Sequence, residues 1–382
     1  MNRDIRPNTP LDLSADDARL RRRVLSRFTP REGLSVLVGV LSLILLALVL
    51  YLALLLQPSR FGGQPPAHVR AGIRPLREIT GPGVGKLPEF LRPMGAAFGK
   101  DGRMYVADTG NNRICAFDAK GKYLFQFGEY GTTKPADGSK STWKPGQFDF
   151  PTDVATDERG NVIVADFHND QIQMFTSEGR FVRAFPNPRR VTGTGGSGAG
   201  GTGIAVTAVA ASNGLVYATD TYQVFVFAEN GRLLRQFGEP GVGPSGLDHP
   251  NGIDVASDGT IYVSDSNHNR VLAFSPAGRP LWQLGRAAST ETTSPAPGAG
   301  PSPFGLPRGV TTFGKDQLIV VDAFSFRLVR VRRDGTLLTQ YGERGTEPAQ
   351  MNFPNGIDAS GDKLIVADKE NNRAIEVQLV GR

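Results

Sequence analysis

The sequence predicts an all-β protein, a six-bladed β-propeller, that a single transmembrane helix near the N-terminus anchors. A unit of about 40 residues occurs six times along the chain, with four short apolar strands in every copy except the sixth, and this repeat predicts the propeller. Each unit ends its second strand on an aspartate, and these are Asp108, Asp166, Asp220, Asp265, Asp322 and Asp368. The helix is predicted by residues 33–56, which are largely apolar and carry no charge.

The composition fits a large domain with many turns. Of the 382 residues, 39% are hydrophobic, so the chain can bury a substantial core. It contains 47 glycines and 27 prolines, a share well above the usual value of roughly 12%. The one cysteine, Cys115, excludes an intramolecular disulfide framework, and its place in an apolar strand indicates a core residue.

The net charge of +6 divides evenly between two parts of the chain. Residues 1–33 contain 8 Arg and 5 Asp or Glu, a net charge of +3, and the rest of the chain carries the other +3. The large domain is therefore nearly balanced in charge. A nucleic-acid-binding domain is usually clearly basic, so the bulk charge argues against that class.

Residues 33–56 are long enough to cross a bilayer as a helix of about 36 Å. A cleavable signal peptide is the alternative, but its apolar region is shorter and ends in a small-x-small site, which "LLLQPSRFGG" lacks. Six arginines precede the span and four follow it, which favours a cytoplasmic N-terminus. We therefore expect a cytoplasmic tail (1–32), a signal anchor (33–56), a linker (57–73) and an extracytoplasmic propeller (74–380).

The sixth unit lacks its fourth strand, because the chain ends shortly after its third, at about Leu379. An open edge would be prone to aberrant pairing. Residues 73–83, "IRPLREITGPG", read like the fourth strands "GRPLWQLG" and "GRLLRQFGEPG" of other units. We therefore predict that residues 74–80 complete the sixth blade and close the ring.

The units resemble NHL repeats over residues 74–380. That family pattern is a Pro, a Gly and an apolar strand, followed by "YVAD", "NNR", "VFD" and "FG". Blades 1, 4 and 6 match best, with "NNR" at 111–113, "NHNR" at 267–270 and "NNR" at 371–373. Blade 2 departs by placing Gln171 where the pattern has Arg, and blades 3 and 5 have "DTYQV" and "DAFSFR".

Loops on one face of the propeller, here called the top face, are predicted to bind the ligand. This face holds the "NNR" loops and three long insertions, at residues 130–147, 186–203 and 286–303. The six aspartates most simply hold the turns together. For the motif arginines, the alternatives are a bridge to neighbouring residues or ligand contact. Trp143 is either pinned to the rim or a recognition anchor. The candidate ligand-binding residues are Arg113, Arg270, Arg327, Arg373, Trp143, Asn251, Arg308 and Asn355.

An enzyme is the main alternative, because "PNGIDVASDGTIYVSDS" also resembles the lactonase branch of six-bladed propellers. Those enzymes hold a divalent metal over the channel with carboxylates and an Asn. The corresponding ring contains no carboxylate, and its members are Met94, Thr152, Thr202, Asn251, Arg308 and Asn355. The amidating-lyase branch needs converging histidines, and the propeller has only three. We therefore predict no catalytic residue, metal or cofactor.

The sequence thus favours a membrane-anchored, non-catalytic binding or scaffolding module. Its expected partner is a protein, peptide or glycan that presents an anionic group to Arg308. An RNA-binding propeller is a further alternative, since arginines and aromatic residues could form a stacking face. The predicted extracytoplasmic location argues against it, so no nucleic-acid partner is expected.

Overall fold

The computed structural model describes residues 72–83, 87, 89–133, 139–141, 143–186, 205–286 and 302–380. The predicted cytoplasmic tail and signal anchor lie outside the described residues, as does the linker up to residue 71. Within the ranges above, no helix is long and apolar enough to span a bilayer.

The described strands form six four-stranded antiparallel sheets, the blades of a β-propeller. Strand β1 (Ile73–Ile79) belongs to blade 6. Blade 1 contains β2 (Gly95–Phe98), β3 (Met104–Asp108), β4 (Arg113–Phe117) and β5 (Tyr123–Phe127). Blade 2 contains β6 (Pro151–Thr156), β7 (Val162–Asp166), β8 (Gln171–Phe175) and β9 (Phe181–Pro186). Blade 3 contains β10 (Ala208–Ser212), β11 (Leu215–Thr219), β12 (Val224–Ala228) and β13 (Leu233–Phe237).

The chain continues through a short parallel pair, β14 (Glu239–Pro240) and β15 (Gly246–Leu247). Blade 4 contains β16 (Pro250–Val255), β17 (Ile261–Asp265), β18 (Arg270–Phe274) and β19 (Pro280–Gly285). Blade 5 contains β20 (Pro307–Phe313), β21 (Gln317–Asp322), β22 (Arg327–Arg332) and β23 (Leu337–Tyr341). Blade 6 contains β24 (Pro354–Ser360), β25 (Lys363–Asp368) and β26 (Arg373–Leu379). Short 3-10 turns span Thr109–Asn111, Ser266–His268 and Lys369–Asn371.

The core lies between neighbouring blades. The middle strands β3 and β4 are buried at every position, because each blade packs against a neighbour on both faces. These strands therefore read as continuous apolar runs rather than as alternating patterns. Between blades 1 and 2, for example, Tyr105 and Ile114 pack in one cluster with Val164 and Phe175.

Strand β1 closes the ring as the outermost strand of blade 6. It pairs antiparallel with β26, from Ile73 opposite Leu379 to Ile79 opposite Ala374. Two ion pairs join these strands: Arg373 Nη1 lies 3.0 Å from Glu78 Oε2, and Arg77 Nη1 lies 3.1 Å from Glu376 Oε2. Residues from the start of the propeller thus supply the strand that blade 6 lacks.

Candidate functional site: the top face and the central channel

The repeated aspartate fixes the loop that follows its strand. In blade 1, Asp108 Oδ2 accepts hydrogen bonds from Arg113 Nε at 2.7 Å and from Asn111 Nδ2 at 2.9 Å. Its other oxygen accepts from the backbone N–H of Leu91 at 2.7 Å. Because Leu91 lies in the segment before the blade, one carboxylate holds both top-face loops in place.

The second Asn of the motif links one blade to the next. Asn112 adopts a left-handed conformation with φ of 53°, which Asn tolerates better than most residues. Its Oδ1 accepts from the backbone N–H of Phe150, at the start of blade 2, at 2.7 Å. In blade 6, Asn372 accepts in the same way from the N–H of Arg92 at 2.8 Å. The "NNR" loop therefore joins neighbouring blades through a hydrogen bond.

The motif arginines stabilise the loops of their own blades through hydrogen bonds. Arg270 is 1% exposed, and its guanidinium donates to Asp265, to Gln283 and to three backbone carbonyls. Arg113 and Arg373 are similarly buried and bonded to their motif aspartates. Arg327 is more loosely held, 3.4 Å from Asp322. The structure thus places these four arginines in separate blades, and ligand contact by any of them stays a prediction.

Trp143 is held within its own insertion. Its indole N–H donates to the carbonyl of Gln147 at 2.9 Å, and the side chain is half-buried. Gln147 Nε2 in turn donates to Glu129 at 2.9 Å. This bond accounts for the position of Trp143 on the rim, and a recognition role for it stays a prediction.

A ring of residues surrounds the top of the channel, each directly after the first residue of an inner strand. Asn251, Arg308 and Asn355 occupy it in blades 4, 5 and 6. In blade 3 the equivalent residue is Thr207, which lies directly before β10 and whose N–H donates to the carbonyl of Thr219. The carbonyl of Thr207 accepts a 3.0 Å bond from the hydroxyl of Thr152 in blade 2. The sequence predicts Thr202 at this position, and Thr202 lies outside the described ranges. The position is hard to predict because the Gly-rich insertion before blade 3 contains no clear strand start.

The glycine after each of these three ring residues brings the inner strands together. A Cβ on Gly252 would overlap the carbonyl oxygen of Arg308. On Gly309 and Gly356 it would lie 2.7 and 2.6 Å from a backbone oxygen of the next blade. Only glycine permits such close approach of backbones. These contacts fix the spacing of the ring residues around the mouth.

Arg308 has no partner among the described residues that balances its charge. Its Nε is buried and has no hydrogen-bond partner among the described residues, and no ion pair within them includes it. Desolvation lowers the pKa of its guanidinium to about 10. In the next blade, Asn355 is 4% exposed, and its Nδ2 also lacks a partner among the described residues. Asn251, in contrast, donates to the carbonyl of His249 at 2.7 Å.

Four bulky residues on the top face have an unusual backbone. Arg92, Phe150, His249 and Phe353 each precede the proline that begins a blade, and their φ angles lie between 49° and 62°. Side-chain-bearing residues seldom adopt this left-handed region, and such outliers concentrate at binding sites.

Below the ring lies a cavity of about 440 Å³ that the inner strands of all six blades line. Three of its lining residues are Asp153, Asp254 and Asp358, from blades 2, 4 and 6. The predicted ring contains no carboxylate, and these three aspartates lie outside it, so they are not among the predicted site residues. The segments "PTDV", "GIDV" and "GIDA" at the starts of alternate blades were the available signal. Within the described residues, no group of three His, Cys, Asp or Glu could hold a metal ion.

A family model for the NHL repeat matches residues 148–175 and 247–274. These segments hold the first three strands of blades 2 and 4. The matches and the six-bladed architecture support an NHL-repeat propeller.

Curated relatives of this propeller include both enzymes and proteins not named as enzymes. Protein brain tumor of Drosophila melanogaster is 30% identical over 169 residues, which is 43% of this chain and 14% of that protein. Peptidyl-glycine alpha-amidating monooxygenase A of Xenopus laevis is 30% identical over 190 residues, 46% of this chain and 18% of that protein. NHL repeat-containing protein 3 of Homo sapiens is 28% identical over 182 residues, 44% and 49%. The chain thus spans less than half the length of each relative.

Solved structures share the fold at low identity. A structural genomics protein of unknown function from Bacteroides thetaiotaomicron has a TM-score of 0.53 at 15% identity, covering 80% of this chain and 75% of that one. A streptogramin B lyase structure has a TM-score of 0.50 at 14% identity, covering 80% and 98%. At these identities the likeness shows the fold alone.

Proposed function

We propose that this chain is a membrane-anchored, extracytoplasmic propeller that binds a protein, peptide or glycan partner through its top face, without catalysis. Arg308 receives an anionic or acceptor-rich group of the partner. The observation that carries this proposal is the desolvated guanidinium of Arg308, which has no counter-charge among the described residues.

An unpaired charge that is withdrawn from water costs folding free energy, so a structural role does not explain it. A carboxylate or phosphate from a partner would restore the missing interaction, and arginine binds both in bidentate geometry. On the neighbouring blade, Asn355 Nδ2 is a second buried donor without a partner among the described residues. The channel mouth therefore presents hydrogen-bond donors, and we expect the partner to present a group rich in acceptors.

Aromatic residues beside the mouth support protein or glycan recognition. Phe324 is 48% exposed and packs edge-on against Phe353 at 5.3 Å, and Lys369 lies 4.9 Å from the Phe353 ring. Exposed aromatic side chains near an arginine are typical of the energetic centre of binding interfaces. We therefore place the partner over blades 5 and 6.

Small anions test the role of Arg308. Acetate or phosphate, at an ionic strength matched with chloride, should raise the melting temperature of the wild-type chain through preferential binding to the folded state. Arg308→Gln should lose this response. Arg344→Gln is the matched control, because Arg344 is an exposed top-face arginine that stacks on Phe326 at 5.2 Å. An equal response of the wild type and Arg308→Gln would contradict the proposal.

The membrane topology rests on the arginine asymmetry of the sequence alone. Protease added to spheroplasts should digest the region after residue 60 and spare the N-terminal tail. Protection of the propeller with loss of the tail would reverse the proposed orientation.

A metal-dependent hydrolase or lyase is the second candidate, because amidating monooxygenases are among the relatives. If Asn251 and Asn355 were metal ligands, the protein should retain a divalent ion. It should also hydrolyse a lactone or ester, and Asn251→Ala should abolish that activity. We expect neither metal nor activity, because the ring contains Arg308 and amides rather than charged oxygen ligands.

A further inference from the structure

The loop that follows β21 in blade 5 departs from the repeat on the top face. Counted from the motif aspartate, Phe326 takes the position that Asn112 holds in blade 1. Asn112 joins two blades, because its side-chain oxygen accepts the N–H of the residue before the next blade's proline. Phe326 has no side-chain oxygen, so it cannot accept the equivalent N–H of Phe353. This aromatic side chain therefore cannot serve the scaffold as Asn112 does.

Phe326 also has a backbone conformation that bulky residues seldom adopt. Its φ of 55° lies in the left-handed region, as do the φ angles of Asn112, Asn269 and Asn372 at the same position. Asn tolerates this region, whereas a phenylalanine there is an outlier of the kind that concentrates at binding sites. Arg344 stacks on the ring of Phe326, with its guanidinium carbon 5.2 Å from the ring centre. The loop thus presents an exposed arginine on the top face.

Phe324, two residues before Phe326, presents an apolar ring to solvent. It is 48% exposed, and its ring meets that of Phe353 edge-on at 5.3 Å. Its Cβ lies against Gly305, where an added Cβ would come within 3.3 Å of it. A phenylalanine ring has no polar atom, so an apolar group covers its exposed part most favourably. We therefore expect the partner to place an apolar side chain on Phe324.

The charged side chains around these rings complement acidic groups. Arg308 has no counter-charge among the described residues, and no ion pair within them includes Arg344. Lys369 lies 4.9 Å from the Phe353 ring and pairs with Glu370 at 3.2 Å. Cations around an apolar centre favour a partner with acidic residues, because complementary charge speeds association and selects among partners.

The strand register limits the distance between Arg308 and Phe324. Pro307, which precedes Arg308, lies opposite Asp322, and Phe324 follows Asp322 by two residues. The Cα atoms of Arg308 and Phe324 are therefore at most about 16 Å apart, and both side chains extend several ångströms from the backbone. In an extended peptide, side chains two positions apart share one face at a spacing of about 7 Å. One short segment can therefore contact both residues.

We propose that the partner is a protein segment in which an acidic and an apolar side chain lie two positions apart. The acidic side chain binds Arg308, and the apolar side chain packs on Phe324. This inference rests on the role of Arg308 in the function proposed above and narrows the partner to a peptide chain. A sugar would bring hydroxyl groups to the edges of the rings, and phenylalanine offers those groups no hydrogen-bond partner.

Calorimetric titration of the 382-residue chain with a blocked peptide that contains Leu-Ser-Glu-Ser-Leu tests the proposal. A leucine on each side of the glutamate makes the direction of binding unimportant. Replacing the glutamate with glutamine should weaken binding about tenfold, because charge-assisted hydrogen bonds are lost. Replacing both leucines with serine should also weaken it about tenfold, because apolar burial is lost.

Three results of these titrations would overturn the proposal. They are no binding of the parent peptide, equal affinity for the serine peptide, and tighter binding of oligogalacturonate, an acidic glycan, than of the parent peptide.

Variants then locate the apolar contact. Phe324→Ala should weaken the parent peptide about tenfold but leave the affinity for the serine peptide unchanged. A purely structural role of Phe324 would change both affinities alike. Leu337→Ala is the matched control, because Leu337 is a 41% exposed apolar residue on the outer strand of the same blade. It should leave both affinities unchanged. Equal affinity of the parent peptide for the wild type and Phe324→Ala would contradict the assignment.

The response to acetate separates this inference from the proposed role of Arg308. Phe324→Ala should keep the rise in melting temperature with acetate, whereas Arg308→Gln should lose it. If the wild type responds to acetate but binds the parent and serine peptides equally, the peptide assignment fails and the role of Arg308 stands. If the wild type shows no response to acetate, both proposals fail.

Discussion

Arg270 and Arg308 lie in neighbouring blades and are both largely withdrawn from water, yet their surroundings differ completely. Arg270 pairs with Asp265 at 2.8 Å and donates to four further oxygen acceptors. Arg308 has a buried Nε with no partner and no ion pair among the described residues. One guanidinium completes a network, and the other is left incomplete.

The difference separates the scaffold of the propeller from its working surface. A buried arginine with every donor satisfied stabilises the loop that it crosses, and a ligand could contact it only by breaking those bonds. An arginine without partners destabilises the folded state until a ligand supplies them. The repeated motif therefore builds the propeller, and the departures from the repeat at the channel are where binding is expected.

The largest effect is expected for Arg270→Met. The change removes five donated bonds and leaves the Asp265 carboxylate buried without its cation. Removing one partner of a buried ion pair typically costs about 3–5 kcal/mol. Urea denaturation followed by circular dichroism measures this loss. A cost below about 1 kcal/mol would show that the motif arginine is not a structural element.

Gly252→Ala tests how the ring around Arg308 is positioned. The new Cβ would overlap the Arg308 carbonyl oxygen, and backbone cannot move away cheaply, so we expect a loss of about 3 kcal/mol. Gly243→Ala is the control, because no atom lies within 4 Å of its added Cβ. Its effect should stay within about 0.5 kcal/mol. Similar effects of the two changes would show that close strand approach does not set the ring.

Blade 2 extends the comparison, because amide side chains donate hydrogen bonds to its motif aspartate, whereas Arg270 donates to the motif aspartate of blade 4. Asp166 accepts from Asn169, Gln171 and Gln173, and burial raises its pKa from 3.8 to about 6. The folded state therefore retains the proton to higher pH than the unfolded state, and stability is lost as the pH rises through this range.

Between pH 5 and pH 7, this group should lower the free energy of unfolding by about 1.4 kcal/mol. Asp166→Asn, which cannot ionise, should show a shallower decline over the same interval, and Asp362→Asn should follow the wild type. Parallel curves for the wild type and Asp166→Asn would contradict the raised pKa.

Much of the scaffold could be predicted from the sequence because it repeats. Six aspartates at strand ends gave the six blades, and the similarity of residues 73–83 to other fourth strands indicated the closing strand. The position of Thr207 could not be predicted, since the Gly-rich insertion before blade 3 hides the strand start. Membrane anchoring remains a prediction from residues 33–56.

The candidate site could be predicted only in part, because it depends on which side chains lack hydrogen-bond partners. The sequence indicated that Asn251, Arg308 and Asn355 share a ring, but not that Arg308 lacks a counter-charge among the described residues. Asp153 lies two positions earlier along its inner strand than Asp254 and Asp358 lie along theirs. The strand pairing shows this, because Asp153 pairs with Ala165 and not with Ile163. All three line one cavity because the blades form a ring, and this is not visible in any single repeat.

The free energy of unfolding of Arg308→Met, measured beside Arg270→Met, tests the central claim most directly. Methionine keeps much of the arginine volume but removes the unpaired charge. We expect Arg308→Met to be more stable than the wild type by about 1 kcal/mol, while Arg270→Met is less stable. If both variants lose stability by similar amounts, Arg308 is another structural arginine, and the assignment of the channel mouth as the binding site is contradicted.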